Sequence, residues 1–293
     1  MGNGVTVVTP TYNRATHLQT LYRSLCSQTV GGFTWLIIDD GSTDYTADVV
    51  NGMKSDIFNI EYQRKENGGK HTALNLAIDI VETELFFIVD SDDTLTNDAI
   101  ETIEKDWRKV KDKDLCGISY LRGYSQEVPI GDIFPIDNLI DSFADIRVNK
   151  KVYGDKAEVW ATKYLKRYRF PVYKGEKFLV ESYLWLQISK IADMLFVNKI
   201  IYLTEYLEGG LTKSGRRLRI KCPKGGMAFN LMLMDKTYPM RDRIKSGILY
   251  SVYSFFSRKN FKETYDIPYK ALLLICYPIG YLVYLYWNYK YNK

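Results

Sequence analysis

The sequence predicts an α/β fold built on a mostly parallel sheet flanked by helices, and three features carry that prediction. Short apolar, often β-branched runs alternate with stretches of helical period, the pattern of successive βαβ units. Several of these runs end abruptly in polar or acidic turns, as strands do at the carboxyl edge of an open sheet, where ligands bind. The C-terminal stretch then turns basic and aromatic, which predicts a helical extension beyond the sheet.

Val5 to Thr9 is β-branched throughout and reads as a first buried strand, stopped by Pro10 before the loop Thr11-Tyr12-Asn13-Arg14. A helix follows to about Ser27, with Leu18, Leu21, Tyr22 and Leu25 on one face. A second strand, Phe33 to Ile38, closes on Asp39-Asp40-Gly41-Ser42. Ser42 or Thr43 is expected to cap the next helix, which carries Ala47, Val50 and Met53 inward. Ile57 to Gln63 is a weaker third strand. Glu66-Asn67-Gly68-Gly69-Lys70 then opens onto a helix with Ala73, Ala77, Ile80 and Val81 at helical spacing. The central strand, Leu85 to Val89, runs straight into Asp90-Ser91-Asp92-Asp93. A further helix carries Ile100, Ile103, Trp107 and Val110.

Beyond this point the pattern loosens. Cys116 to Arg122 reads as a strand, and Ser125 to Arg147 as a long loop with Pro129 and Pro135, suited to a lid or an acceptor surface. Val159 to Thr162 begins another element, and a helix from about Ser182 packs Leu184, Ile188, Ile191 and Ala192. Phe196 to Tyr206 reads as a final strand-pair region. The expected division is a sheet domain over 1–220, with halves of about 1–115 and 116–220, and a helical region over 221–293.

Apolar content of 46% and charged content of 26% are those of a globular chain, not a disordered one. The 24 tyrosines suit surfaces that are apolar at one end and wet at the other, including sugar sites and membrane interfaces. The net charge of +5 is uneven, with Lys213 to Lys262 basic and the first hundred residues acidic. Anionic phospholipid or a sugar pyrophosphate fits this patch as well as nucleic acid does, and no nucleic-acid partner is expected. Cys26, Cys116, Cys222 and Cys276 are scattered without a CxxC pair, so they are expected to pack as small hydrophobes in a reducing compartment. No basic start with an apolar core marks a secretory signal, and a cytoplasmic chain is expected.

No charge occurs from Ala271 to Tyr289, a length near the lower end of what spans a bilayer, roughly 17–25 residues. Pro278 and Gly280 interrupt it, and its dense Tyr and Trp favour the headgroup level. Ile244 to Phe256, flanked by Arg241, Arg243, Lys245, Arg258 and Lys259, reads as an interfacial helix. The expectation is peripheral attachment at the inner face of the cell membrane, lying in the interface instead of spanning it.

The chemistry concentrates at three strand ends: the loop after Thr9, Asp39-Asp40, and Asp90 to Asp93. Right-handed crossovers place such ends on one edge of a parallel sheet. Clustered carboxylates repel, and a hard divalent cation that takes oxygen ligands and substrate phosphates would hold them together. The competing reading is a solvated acidic turn ahead of the helix that follows Asn97.

Val7-Val8-Thr9-Pro10-Thr11-Tyr12-Asn13-Arg14, Ile37-Ile38-Asp39-Asp40-Gly41-Ser42-Thr43-Asp44 and Val89-Asp90-Ser91-Asp92-Asp93 together resemble family 2 glycosyltransferases of GT-A fold, in that family's order and spacing. The resemblance implies a Rossmann-like GT-A domain and an inverting, hexosyltransferase-type enzyme that uses a UDP-sugar with Mn²⁺ or Mg²⁺. Pro10, Thr11, Tyr12, Arg14, Asp39, Asp40, Lys70, Asp90, Ser91 and Asp92 would form the nucleotide-sugar site. By the resemblance, Tyr12 stacks on the base, Asp39 accepts from the uracil N3–H, Asp90 sits near the ribose and Asp92 ligates the metal. Asp93 belongs to the same turn. His71 would orient a phosphate or cap its helix.

Inversion needs a base for the acceptor hydroxyl, and Glu181 is the best match, with Glu176 next and Asp155 and Glu158 weaker. Arg216, Arg217 and Arg219 follow Gly209-Gly210, where related enzymes close a loop over the diphosphate, or else they face lipid headgroups. No QxxRW motif or multi-span channel points to a processive polymer synthase. A single addition to a glycan or lipid-linked acceptor, in bacterial surface polysaccharide synthesis, is the expectation. A sugar-1-phosphate nucleotidyltransferase would want a glycine-rich basic loop after the first strand. A non-catalytic sugar- or lipid-binding module would have no need of Asp90, Asp92 and Glu181 together.

Overall fold

Val5, Val7 and Val8 are fully buried, as a run of β-branched residues between two neighbouring strands requires. They lie in β1 (Gly2–Thr11), which pairs in parallel with β2 (Thr34–Asp39) on one side and β4 (Thr83–Ile88) on the other. The computed structural model describes residues 2–204 and 211–291. Two compact units make up the chain: Met1–Arg169 with Leu184–Tyr206, and Phe170–Tyr183 with Leu207–Lys293. The expected boundary near residue 220 therefore falls inside the second unit, at the end of a helix.

In the first unit β3 (Asn59–Arg64) completes a parallel half-sheet, β3-β2-β1-β4. Its connections are α1 (Ala15–Cys26), α2 (Thr46–Asn51) and α3 (Lys70–Ile80). After β5 (Thr94–Leu95) and α4 (Ala99–Val110) come β6 (Gly117–Gly123), β7 (Leu139–Asp141) and β8 (Lys156–Ala161). The short α5 (Thr162–Leu165) and α6 (Ser182–Ile188) precede β9 (Met194–Leu203). β8 runs antiparallel between β4 and β6, and β9 is parallel to β6, so β1, β2, β4, β6 and β9 all point their carboxyl ends the same way. This alignment positions the site. Thr11 registers with Asp39, and Asp39 with Arg64.

The helical spacing predicted for α1 and α4 is realised, with Leu18, Leu21, Leu25, Ile100, Ile103, Trp107 and Val110 buried. Three expectations need correction. Neither Ser42 nor Thr43 caps α2, which starts after Tyr45; Ser42 Oγ instead accepts the Asn13 N–H at 2.9 Å. α6 ends at Ile188, so Ile191 lies beyond it and is exposed. The expected strand-pair region is one long strand, β9, against which β5, β6 and β7 pair. The predicted long loop also contributes β7 and a wide helical turn, Asp145–Asn149.

The second unit holds α7 (Leu211–Lys221), α8 (Pro223–Leu233), α9 (Met240–Phe256), α10 (Phe261–Tyr265) and α11 (Lys270–Tyr291). Met227, Met234, Tyr250, Val252, Tyr253, Leu273 and Trp287 form its core. α9, expected as an interfacial helix, thus commits its middle turn to internal packing. On α11 the buried stripe is Leu273, Cys276, Gly280 and Trp287. A Cβ on Gly280 would lie 2.4 Å from that of Ser251, so the close approach of α9 and α11 requires glycine there. Leu274, Ile275, Ile279, Leu282, Leu285 and Tyr286 on α11 remain exposed. Among the described residues, α11 is the helix long and apolar enough to cross a membrane. Cys116, Cys222 and Cys276 are buried and unpaired as expected, whereas Cys26 is exposed.

Candidate active site

Asp39 closes β2 with no exposed surface. Its Oδ1 accepts the Ser42 N–H at 2.7 Å and its Oδ2 the Tyr62 O–H at 2.5 Å, with Arg64 Nε 3.9 Å away. Burial and then this carboxylate push the Tyr62 phenol well above its ordinary pKa, so it stays a donor. Beside them, Asn13 takes the left-handed conformation (φ 53°), which Asn tolerates better than most residues, and its Oδ1 accepts the Thr43 N–H at 2.8 Å. The loops after β1 and β2 are thereby tied together. Tyr12 is 47% exposed on this rim, ready to offer a ring face, while Thr11 Oγ1 is buried with no hydrogen-bond partner.

Asp40 is spent on the next loop. Its Oδ1 accepts from Lys65 Nζ at 2.7 Å and the Gly68 N–H at 2.9 Å, and its Oδ2 from the Gly69 N–H at 2.7 Å. Gly69 has φ 92°, a conformation a side chain resists, and directly precedes α3. The clamp fixes the start of α3, and Lys70 in its first turn donates to Asp90. His71 next to it is 3% exposed; burial lowers its pKa and its Nδ1 has no partner. Gly69, not His71, occupies the capping position.

The acidic turn after β4 is divided by its partners. Burial opposes ionisation of Asp90, but Lys70 and Arg122 outweigh it and hold the carboxyl below the usual range. Asp93 is buried and pushed up to about 6, first by that burial and then by the neighbouring Asp90 charge, against the Tyr202 hydrogen bond. Ser91 is buried. Asp92 differs in its partners: its side chain is 29% exposed against 27% for Asp90, but its nearest cation is Arg14, with Nη2 3.9 Å from Oδ2. Among the described residues no three His, Cys, Asp or Glu converge as a ready-made cation cage. Asp92, whose carboxylate is not taken up by a close hydrogen-bonded cation, is the group of this turn that suits Mg²⁺ or Mn²⁺, which bind through one or two carboxylates and substrate phosphates instead of an all-protein cage. If the expected metal binds here, Asp92 is the carboxylate that would hold it.

Arg122, Tyr202, Tyr62 and Arg64 were not among the sequence-predicted site residues. Tyr202 reads as core within Ile200-Ile201-Tyr202-Leu203, and only a lone Arg at the carboxyl end of an apolar strand hinted at Arg122.

The second unit carries the other candidates. Glu176 is 8% exposed and accepts the N–H groups of Lys224 and Gly225, each at 2.9 Å, at the start of α8. Both oxygens thus serve an anion position at a helix N-terminus, which argues against Glu176 as a base. Glu181 sits half-buried immediately before α6. Arg216 stacks over the Trp287 ring at 4.8 Å, and Arg219 is exposed on the same helix. Gly209 and Gly210 lie outside the described residues, and so does any loop closure built on them.

Residues 6–145 match Glycosyl transferase family 2. The chain is 35% identical over 112 residues to the chondroitin synthase of Pasteurella multocida, covering 38% of this chain and 11% of that one. It is 30% identical over 115 residues to glycosyltransferase GlyG of Streptococcus pneumoniae, covering 39% and 37%. The matches thus span only a minor part of either relative. Among solved structures, S. aureus TarS 1-349 in complex with UDP-GlcNAc superposes with a TM-score of 0.62 at 17% identity, over 94% of this chain and 79% of that one. The mannosyltransferase PcManGT from Pyrobaculum calidifontis, in complex with GDP-Man and Mn²⁺, gives 0.59 at 16% identity, over 99% and 83%. At such identity these likenesses speak for the fold.

Proposed function

We propose, from the premise that residues 6–145 belong to a family 2 glycosyltransferase domain of GT-A fold, that this chain moves one sugar from UDP to an acceptor hydroxyl with inversion. The observation that carries the reading is that Arg14 meets Asp92 and Lys70 meets Asp90 just past the end of β4, at the same sheet edge where the buried Asp39 ends β2, with one strand between. Tyr12 stacks on the base, and Asp39, oriented by the Ser42 N–H and the Tyr62 hydroxyl, accepts from the uracil N3–H. Lys70 and Arg14 face the diphosphate, and Asp92 would hold Mn²⁺ or Mg²⁺. When bound, the cation neutralises charge that builds on the leaving phosphate. Asp90 orients the ribose.

Glu181 is the carboxylate proposed to take the proton from the attacking acceptor oxygen. The likeness to a chondroitin synthase supports a glycan or lipid-linked acceptor in surface-polymer synthesis. The exposed apolar face of α11, with Lys270 and Lys290 at its ends, supports peripheral attachment to the cytoplasmic face of the membrane. The test is UDP release from a panel of nucleotide sugars with and without Mn²⁺. Metal-stimulated release from a UDP-sugar supports the reading. Binding without any turnover across the panel leaves a non-catalytic module instead.

A further inference from the structure

The two carboxylates that flank Asp92 in the acidic turn, Asp90 and Asp93, share a pair of partners from the far half of the sheet. Arg122 on β6 and Tyr202 on β9 are register neighbours on parallel strands, so their side chains stand on one face at the carboxyl edge. The Arg122 guanidinium lies 3.9 Å over the Tyr202 ring, and its Nε donates to the Lys156 carbonyl at 2.9 Å, which fixes its plane. From there Nη1 lies 3.7 Å from Asp90 Oδ2 and 3.6 Å from Asp93 Oδ2. The Tyr202 hydroxyl donates to Asp93 Oδ2 at 2.7 Å and accepts the Asp90 N–H at 2.9 Å. Asp92, between these two residues, receives nothing from either. Buried ion pairs are often no more stable than well-packed apolar groups, so folding stability alone does not account for this arrangement.

We propose that Arg122 and Tyr202 are positioning residues that hold Asp90 and Asp93 away from the divalent cation and leave Asp92 as its one protein carboxylate. The cation then depends on the nucleotide diphosphate for its remaining charged ligands, because ligand charge count sets affinity at oxygen sites. The inference rests on the metal-assisted reading above and names the residues that keep the ion from binding alone.

Mn²⁺ binding to the full chain, followed by electron paramagnetic resonance with and without UDP, tests it on wild type, Arg122→Lys and Tyr202→Phe. Melting curves establish that each variant folds, and Tyr202→Phe, which loses one oxygen atom, serves if Arg122→Lys does not. Wild type is expected to bind Mn²⁺ weakly alone and at least about tenfold more tightly with UDP. Both variants release a carboxylate, so their nucleotide-free Mn²⁺ affinity rises about tenfold and the enhancement by UDP shrinks. Arg122→Lys keeps the charge, which separates positioning from a simple change in potential. Unchanged or weaker nucleotide-free affinity in the folded variants overturns the proposal. Failure of wild type to bind Mn²⁺ even with UDP refutes the metal-assisted reading itself.

Discussion

Asp40→Asn separates a residue that touches the nucleotide from one that shapes the loop beneath it. The wild-type carboxylate accepts three hydrogen bonds, from Lys65, Gly68 and Gly69. An asparagine can keep its oxygen toward Lys65 and Gly68, but its amide then faces the buried Gly69 N–H, donor against donor. An unsatisfied buried N–H costs about 1–3 kcal/mol, and losing the charge weakens the remaining bonds by about another 1 kcal/mol. The sum is about 3 kcal/mol, or roughly 6–12 °C in melting temperature for a unit of this size. Because the same clamp fixes the first turn of α3, Lys70 shifts and UDP affinity falls as well. Thermal melting and calorimetric UDP titration read the two effects separately. A variant that loses UDP affinity at an unchanged melting temperature would refute the clamp and make Asp40 a direct ligand.

Glu181→Gln should leave UDP affinity within about twofold while turnover falls about 10²–10⁴-fold; unchanged turnover removes Glu181 from the base role. In metal-free protein Asp93 titrates near 6, against about 3.9 unfolded, so the folded chain holds the extra proton between those values. The contribution of Asp93 to stability is therefore fullest below that window and is lost as pH rises through 6, by something of order 3 kcal/mol. Asp93→Asn should flatten this decline in urea melts run in chelator, and a parallel decline in the variant would assign it to another group. Leu282→Glu and Ile275→Glu, on the exposed face of α11, should reduce pelleting with anionic vesicles without lowering the melting temperature. Deleting the helix would be a poor substitute, since Leu273 and Trp287 belong to the core of their unit. Full retention of vesicle binding in both substituted chains would rule out that face as the anchor.

The parallel half of the sheet was legible because its residues obey local rules. Val5 to Thr9 and Phe86 to Val89 can be little other than buried strands, and Asp39 and Asp90 follow their strands directly. Convergence of the strand ends was legible for the same reason, since parallel register carries Thr11, Asp39 and Arg64 to one line. The later strands could be located only roughly, because β8 inserts between β4 and β6 far out of chain order. No local signal encodes that pairing.

The division of labour among the carboxylates was equally hidden. Asp39 and Asp40 are adjacent and identical in sequence, yet one accepts from Ser42 and Tyr62 and the other clamps Gly68 and Gly69. Glu176 and Glu181 looked like rivals for one role until the α8 N-terminus claimed the first. Arg122 and Tyr202 reach the acidic turn only through tertiary pairing, which is why spacing along the chain could not find them.

The central claim is that Asp92 couples a divalent cation to the diphosphate of a nucleotide held at the strand ends. UDP titrations of wild type and Asp92→Ala, each with and without Mn²⁺, address it most directly. Mn²⁺ should tighten UDP binding at least about tenfold in wild type and not in Asp92→Ala, with metal-free affinity alike in both. Equal enhancement in the two proteins, or none in wild type, would contradict the account.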